Sequence, residues 1–182
     1  MINANLAGKK LIKSLREYYG DNNPKGIQIS GFMDKSSYAE FLQRISSVKF
    51  RKEEQRDTHS YFEATPLALS FFNSNEFRSF ASAVTGKKLS KASCTLKIFL
   101  SGSYTLLHDN PPKGIEFYLD LTPAWKKEWG GSTFLVTKEG EKLMLPPTPN
   151  TLTLADAGSS YIKYVNCLAK SEGRLVVHGI LR

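Results

Sequence analysis

The chain has 182 residues, 41% hydrophobic and 12% aromatic, enough for one domain with a sizeable core. No run approaches the roughly 18 apolar residues of a membrane-spanning helix, so no membrane role is expected. The net charge of +8 favours polyanions at low salt, but neither zinc-finger spacing nor an RNA-binding aromatic signature accompanies it, which leaves nucleic acid possible without a motif behind it.

Leu6, Leu11, Ile12, Leu15 and Tyr19 recur at helical spacing, and Gly20 is a suitable stop, so a first helix is expected here. A strand follows at Gly26–Phe32. Asp34 stands where it can cap a second helix, whose Tyr38, Phe41, Leu42 and Ile45 form an apolar stripe read as core. Strand-like segments come next at Val48–Phe50 and Ser60–Ala64, then a helix at about Glu76–Val84 closed by Gly86.

After Gly86 the pattern becomes short strands separated by turn signals: Cys94–Leu100, Tyr104–His108, Ile115–Leu121, Thr133–Thr137, Lys142–Leu145, Leu152–Ala155, Tyr161–Val165 and Arg174–Leu181. Eight such strands suit two sheets folded into a jelly roll. Lys138-Glu139-Gly140-Glu141 reads as a hairpin turn, and Pro146-Pro147 falls outside any central strand. The expected organisation is one domain over 1–182, mostly β, a barrel wrapped by helices. Residues 1–86 supply flanking helices and outer strands, and 87–182 the jelly-roll core.

Eleven Lys/Arg against six Asp/Glu fall within Met1–Arg56, and these charges read as solvated helix and strand faces. Cys94 and Cys167 are too few for a disulfide scaffold, and neither has a CxxC partner. The opening residues lack the apolar stretch of a signal peptide. A reduced, cytoplasmic protein is therefore expected.

The chemistry-bearing stretch is Ser101–Val136, SGSYTLLHDNPPKGIEFYLDLTPAWKKEWGGSTFLV. A strand ends in His108-Asp109-Asn110, a second apolar strand follows, then Trp125, Trp129 and the pair Gly130-Gly131 open a third. Asn150-Thr151-Leu152 and Arg174 in GRLVVHGIL continue the series, and Phe77–Gly86 precedes it. This pattern, over about two thirds of the chain, resembles the prolyl-hydroxylase branch of the 2-oxoglutarate/Fe(II) oxygenases, and within it the ribosomal prolyl hydroxylases. The resemblance implies a cupin-like double-stranded β-helix with flanking helices. It also implies that His108 matches the first iron ligand and Arg174 the arginine that holds the far carboxylate of 2-oxoglutarate.

The departures fall on the chemistry. An open Fe(II) site takes two imidazoles and one carboxylate. Asn110 stands at the carboxylate position, and counting without gaps from Asn150 puts Lys163 at the distal imidazole position. An amide is a poor ligand for a dication, and an ammonium ligates nothing until it loses its proton. Phe99 replaces a tyrosine whose hydroxyl would meet 2-oxoglutarate, and Val176 replaces a serine. Three rescues of the metal site remain open: Asp109 with a bulge in its strand, His178 about 13 Å along the strand from Arg174, or His59.

More ordinary roles are also available. Gly130-Gly131 permit a bend, Trp125 and Trp129 cover an edge, and Arg174 pairs with an internal carboxylate such as Asp156 or Asp109. An inward Lys163 would be costly unless paired or deprotonated. Its ammonium, contacted by Asn110 and His108, would stand where the dication would have been.

Two classes of function follow. The first is an oxygenase-like protein with a degenerate iron site and no cofactor, which binds a protein, a peptide or a small carboxylate held by Lys163 and Arg174. The second is an enzyme, either a prolyl-hydroxylase-like dioxygenase using Fe(II) and 2-oxoglutarate with unusual ligands, or a metal-independent catalyst with Lys163 as base or nucleophile.

Overall fold

A computed structural model describes residues 1–55, 59–109, 114–137, 139–156, 161–165 and 173–182, with the backbone alone for 107–109 and 161–164. A 3₁₀ turn at Ala4–Ala7 leads into helix α1 (Lys9–Asp21). The helix continues through the expected stop at Gly20. It ends instead where Asn22 turns extended, two residues before Pro24, whose ring cannot continue a helix.

Asp34 caps α2 (Lys35–Ile45) as expected. Its carboxylate accepts from the Ser37 backbone N–H at 2.8 Å and from the hydroxyls of Ser36 and Ser37 at 2.7 and 2.8 Å. These bonds hold the carboxyl down at about 2, from an ordinary 3.8. The folded state therefore binds this proton more weakly than the unfolded chain. Asp34's contribution is complete above the unfolded value and is lost as pH falls through about 2. In denaturant titrations, the stability gap between wild type and Asp34→Ala is expected to narrow steadily as pH is lowered through that window.

Helix α3 (Asn75–Thr85) is capped by Ser74, whose hydroxyl accepts from the Phe77 N–H, and closes on Gly86. Gly86 has φ 74°, a left-handed conformation that a side chain would oppose. The 3₁₀ segment Leu67–Asn73 before it had no signal in the periodicity.

The strands are β1 (Gly26–Ser30), β2 (Arg51–Gln55), β3 (His59–Ala64), β4 (Ala92–Phe99), β5 (Tyr104–Asp109), β6 (Ile115–Asp120), β7 (Thr133–Thr137), β8 (Lys142–Leu145), β9 (Thr151–Asp156), β10 (Tyr161–Val165) and β11 (Arg174–Leu181). All eight strands expected after Gly86 are present. Val48–Phe50 is not a strand. Val48 closes a turn onto Ile45 at the end of α2, and pairing begins only at Arg51. The sequence RKEEQ of β2 carries no apolar alternation because the strand pairs with β3 alone, and its side chains pair among themselves: Arg51 with Glu53 and Lys52 with Glu54.

All pairings are antiparallel, and the strand order is β1-β9-β6-β11-β4-β3-β5-β10-β7-β8, with β2 beside β3. The fold is the expected jelly roll of the double-stranded β-helix type, but the barrel is not closed, since β1 and β8 end the path and do not pair with each other. They still approach one another. A Cβ added to Gly26 in β1 would sit 3.0 Å from Leu143 in β8.

Two apolar clusters flank the sheet. One packs Tyr19, Phe41, Ile45, Phe77, Phe80 and Val84 of the helices against Leu96, Ile115, Phe117, Leu119, Leu152 and Val177 of the strands. Phe77 is fully buried there, edge-on to Phe32, Phe72 and Phe117 at centroid separations of 6.0, 5.1 and 5.0 Å. The other, inside the roll, joins Phe99, Tyr118, Leu135, Leu145, Ala155, Val165 and Val176. No helix among the described residues is long and apolar enough to cross a membrane.

Candidate functional site

Strand β6, IEFYLD, shows how acidic side chains come to lie inside the roll. Successive strand residues face opposite sides, so Ile115, Phe117 and Leu119 face the helices while Glu116, Tyr118 and Asp120 face inward. All six are buried, because both faces of this central strand are covered. Two inward carboxylates thus require partners, and β11 supplies them.

Arg174 at the start of β11 is 3% exposed, and its Nε donates to Asp120 Oδ2 at 2.8 Å. Its Nη1 donates to the Gly131 carbonyl and to Thr133 Oγ1, both at 2.8 Å. Asp120 in turn accepts from the Thr122 N–H at 3.0 Å. Among the described residues, none accepts from Nη2. Gly130 and Gly131 have φ of 72° and 77°, a turn held by Trp125 Nε1 donating to the Gly130 carbonyl. The Trp and Gly-Gly pattern therefore presents the Gly131 carbonyl to Arg174. Burial pushes the Asp120 carboxyl above its ordinary value, while Arg174 and the Thr122 hydrogen bonds pull against that.

The second inward acid, Glu116, is fully buried and lies with Oε1 2.6 Å from His178 Nε2. The His178 ring stacks on Tyr118 at 4.9 Å. The sequence leaves His178 available as a metal ligand, but its Nε2 is taken up by Glu116. Asp156, which the sequence offers as an internal partner for Arg174, is engaged elsewhere. It instead receives Lys87 Nζ at 2.7 and 2.8 Å, and Asp120 is the partner of Arg174. The reason lies in register. Val176 on β11 pairs with Asp120, two residues from Arg174, whereas Asp156 lies at the other end of the sheet opposite Ile115.

Phe99, at the position implied for a tyrosine, pairs in register with Arg174 and is 3% exposed. Tyr61 of β3 covers it, with ring centroids 5.5 Å apart. Tyr61 also stacks on His59 at 4.9 Å, so the third candidate ligand lies against an aromatic ring.

Of the implied iron positions, Asn110 lies outside the described residues, and His108 and Lys163 are described in backbone only. Their register is informative. Lys163 in β10 is paired directly opposite His108 in β5, and its other neighbour is Leu135 of β7, a residue of the inner cluster. The β5–β10 register slips by one residue between His108 and Thr105, so the bulge lies before His108 and not at Asp109. Among the described residues, no group of three or more His, Cys, Asp or Glu could hold a metal ion. One imidazole, an amide and an ammonium do not make the donor set of an Fe(II) site.

Asp120 and Glu116 are the residues that sequence reading missed. The strict alternation of IEFYLD carried the signal: one face apolar, the other bearing two acids and a tyrosine. Such a face ordinarily meets solvent.

A family model described as "oxoglutarate and iron-dependent oxygenase degradation C-term" matches residues 33–179, about four fifths of the chain. The chain belongs to that family. Solved structures of the same fold include a Pseudomonas putida prolyl-4-hydroxylase, with TM-score 0.73 and 14% identity, covering 94% of this chain and 98% of that one. A 2-oxoglutarate/Fe(II) oxygenase-family oxidoreductase from Burkholderia pseudomallei gives TM-score 0.76 and 12% identity, covering 100% and 93%. A Trichoplax adhaerens prolyl hydroxylase, in complex with a hypoxia inducible factor oxygen degradation domain peptide fragment, gives 0.76 and 16%, covering 94% and 89%. No curated protein matched at the sequence level.

Proposed function

We propose that this chain is a non-redox member of the 2-oxoglutarate oxygenase fold that acts by binding a protein or peptide partner in an intracellular setting. The β5–β10 register carries this reading. It sets Lys163 directly opposite His108, on the two strands where the resemblance implies two imidazole ligands, so the gapless count that puts a lysine at the distal position agrees with the backbone. An ammonium there repels a dication and offers it no lone pair. A peptide is the favoured partner class over a small carboxylate because the guanidinium of Arg174 is already bonded to Asp120, Gly131 and Thr133. The Trichoplax neighbour was solved with a peptide.

The test is metal content and turnover on the purified chain. Iron is expected well below one equivalent after anaerobic reconstitution with Fe(II), and 2-oxoglutarate is expected to yield no iron-dependent succinate. Tight Fe(II) binding with succinate production would overturn the proposal and favour a dioxygenase with unusual ligands.

A further inference from the structure

We propose that Asp120 is a built-in occupant of a small-carboxylate site at Arg174, so that the intact chain is closed to 2-oxoglutarate and other free carboxylates there. This deepens the non-redox reading and rests on it for the place of Arg174 in the fold. A buried guanidinium selects a carboxylate because its planar fork of N–H donors matches two oxygens. Here the carboxylate comes from the same sheet. Asp120 ends the strand adjacent to β11, with side-chain exposures of 3% for Arg174 and 6% for Asp120.

The surroundings fit one anion and not two. Gly131 and Thr133 take Nη1 with neutral oxygens, and the Thr122 N–H orients Asp120. Nη2, the nitrogen without an acceptor among the described residues, belongs to the same fork. A free carboxylate reaching it would lie beside the Asp120 carboxylate in a site almost without water. Two anions would then share one cation, and burial already works against the ionised form of one of them. On the neighbouring strand, Phe99 is the register partner of Arg174, and its ring offers no donor to a second carboxylate.

If Asp120 fills a carboxylate site, deleting its side chain leaves a vacancy of that shape and charge preference. Formate and acetate are the probes, with chloride at equal ionic strength as control. In thermal unfolding of the full chain, Asp120→Ala is expected to be stabilised saturably by formate or acetate. The folded-to-unfolded ratio should rise about a hundredfold at a hundred times the dissociation constant. Wild type, Asp120→Asn and Asp120→Ala/Arg174→Met are expected to respond as they do to chloride. Should Asp120→Ala not fold in buffer, recovery from denaturant in formate but not in chloride gives the same support, and failure in both overturns the proposal. A response of Asp120→Ala that persists in the double variant also overturns it. So does saturable binding of 2-oxoglutarate to wild type that Arg174→Met abolishes. That last outcome would leave the non-redox reading standing unless succinate also accumulates.

Discussion

Replacing Arg174 by methionine is expected to destabilise the fold by about 3–5 kcal/mol at neutral pH, the usual cost of leaving one member of a buried ion pair without its partner. Among the described residues, Asp120 would keep its hydrogen bonds to Thr122 alone, in surroundings that already raise its pKa through burial. The variant should therefore carry a folded-state carboxyl further above its unfolded value than wild type does. A raised carboxyl contributes stability that is present below the unfolded pKa and lost as pH rises through the folded one. The deficit of Arg174→Met relative to wild type should accordingly grow between mildly acidic and mildly alkaline pH. Arg174→Met/Asp120→Leu should recover most of the loss, because an apolar pair of similar volume needs no counter-charge. With Asp120→Leu added, denaturant unfolding of the four proteins forms a double-mutant cycle, and a coupling below about 0.5 kcal/mol would show the pair to be incidental.

The fold was legible wherever one side of an element meets the core and the other meets solvent or a turn. β7, β8, β10 and β11 have the bounds read from the sequence; Gly140, between β7 and β8, and Gly173, just before β11, take φ of 87° and 70°. The cap at Asp34 was legible because a side-chain oxygen beside free helix N–H groups has one low-energy use. β2 was not legible. An outer strand made of Arg51, Lys52, Glu53 and Glu54 buries nothing, and its pairing depends on β3 being already in place. At the site, Arg174 could be recognised as the inward cation, but its partner could not. The distance from residue 174 to residue 120 along the chain closes only when β11 lies beside β6, and the internal acids that the sequence reading offers, Asp109 and Asp156, do not include Asp120. The opposition of Lys163 and His108 is a consequence of register across a bulged pair, which no local pattern encodes.

Placing the implied ligands at positions 110 and 163 should separate metal binding from co-substrate binding. Asn110→Asp/Lys163→His returns one carboxylate and one imidazole to the positions that the resemblance implies, beside His108. Alterations in groups that merely support metal ligands change affinity about 10–100-fold, so replacing two ligand positions outright should tighten binding by more than about a hundredfold. Anaerobic titration with Fe(II), or with Mn(II) followed by electron paramagnetic resonance, measures that gain. Exchanging the lysine for an imidazole also removes a cation from the position that the resemblance implies for a ligand. Iron alone is not expected to restore turnover. Arg174 would still be paired with Asp120 at 2.8 Å, and Phe99 would still stand where a tyrosine hydroxyl is implied. Succinate formation is therefore expected to stay at background in the restored variant, because the co-substrate lacks its far anchor even when the metal is present. A restored variant that binds iron and converts 2-oxoglutarate with Asp120 intact would show that the internal carboxylate yields to an external one. One that still rejects iron would mean that the backbone around His108 no longer holds ligand geometry.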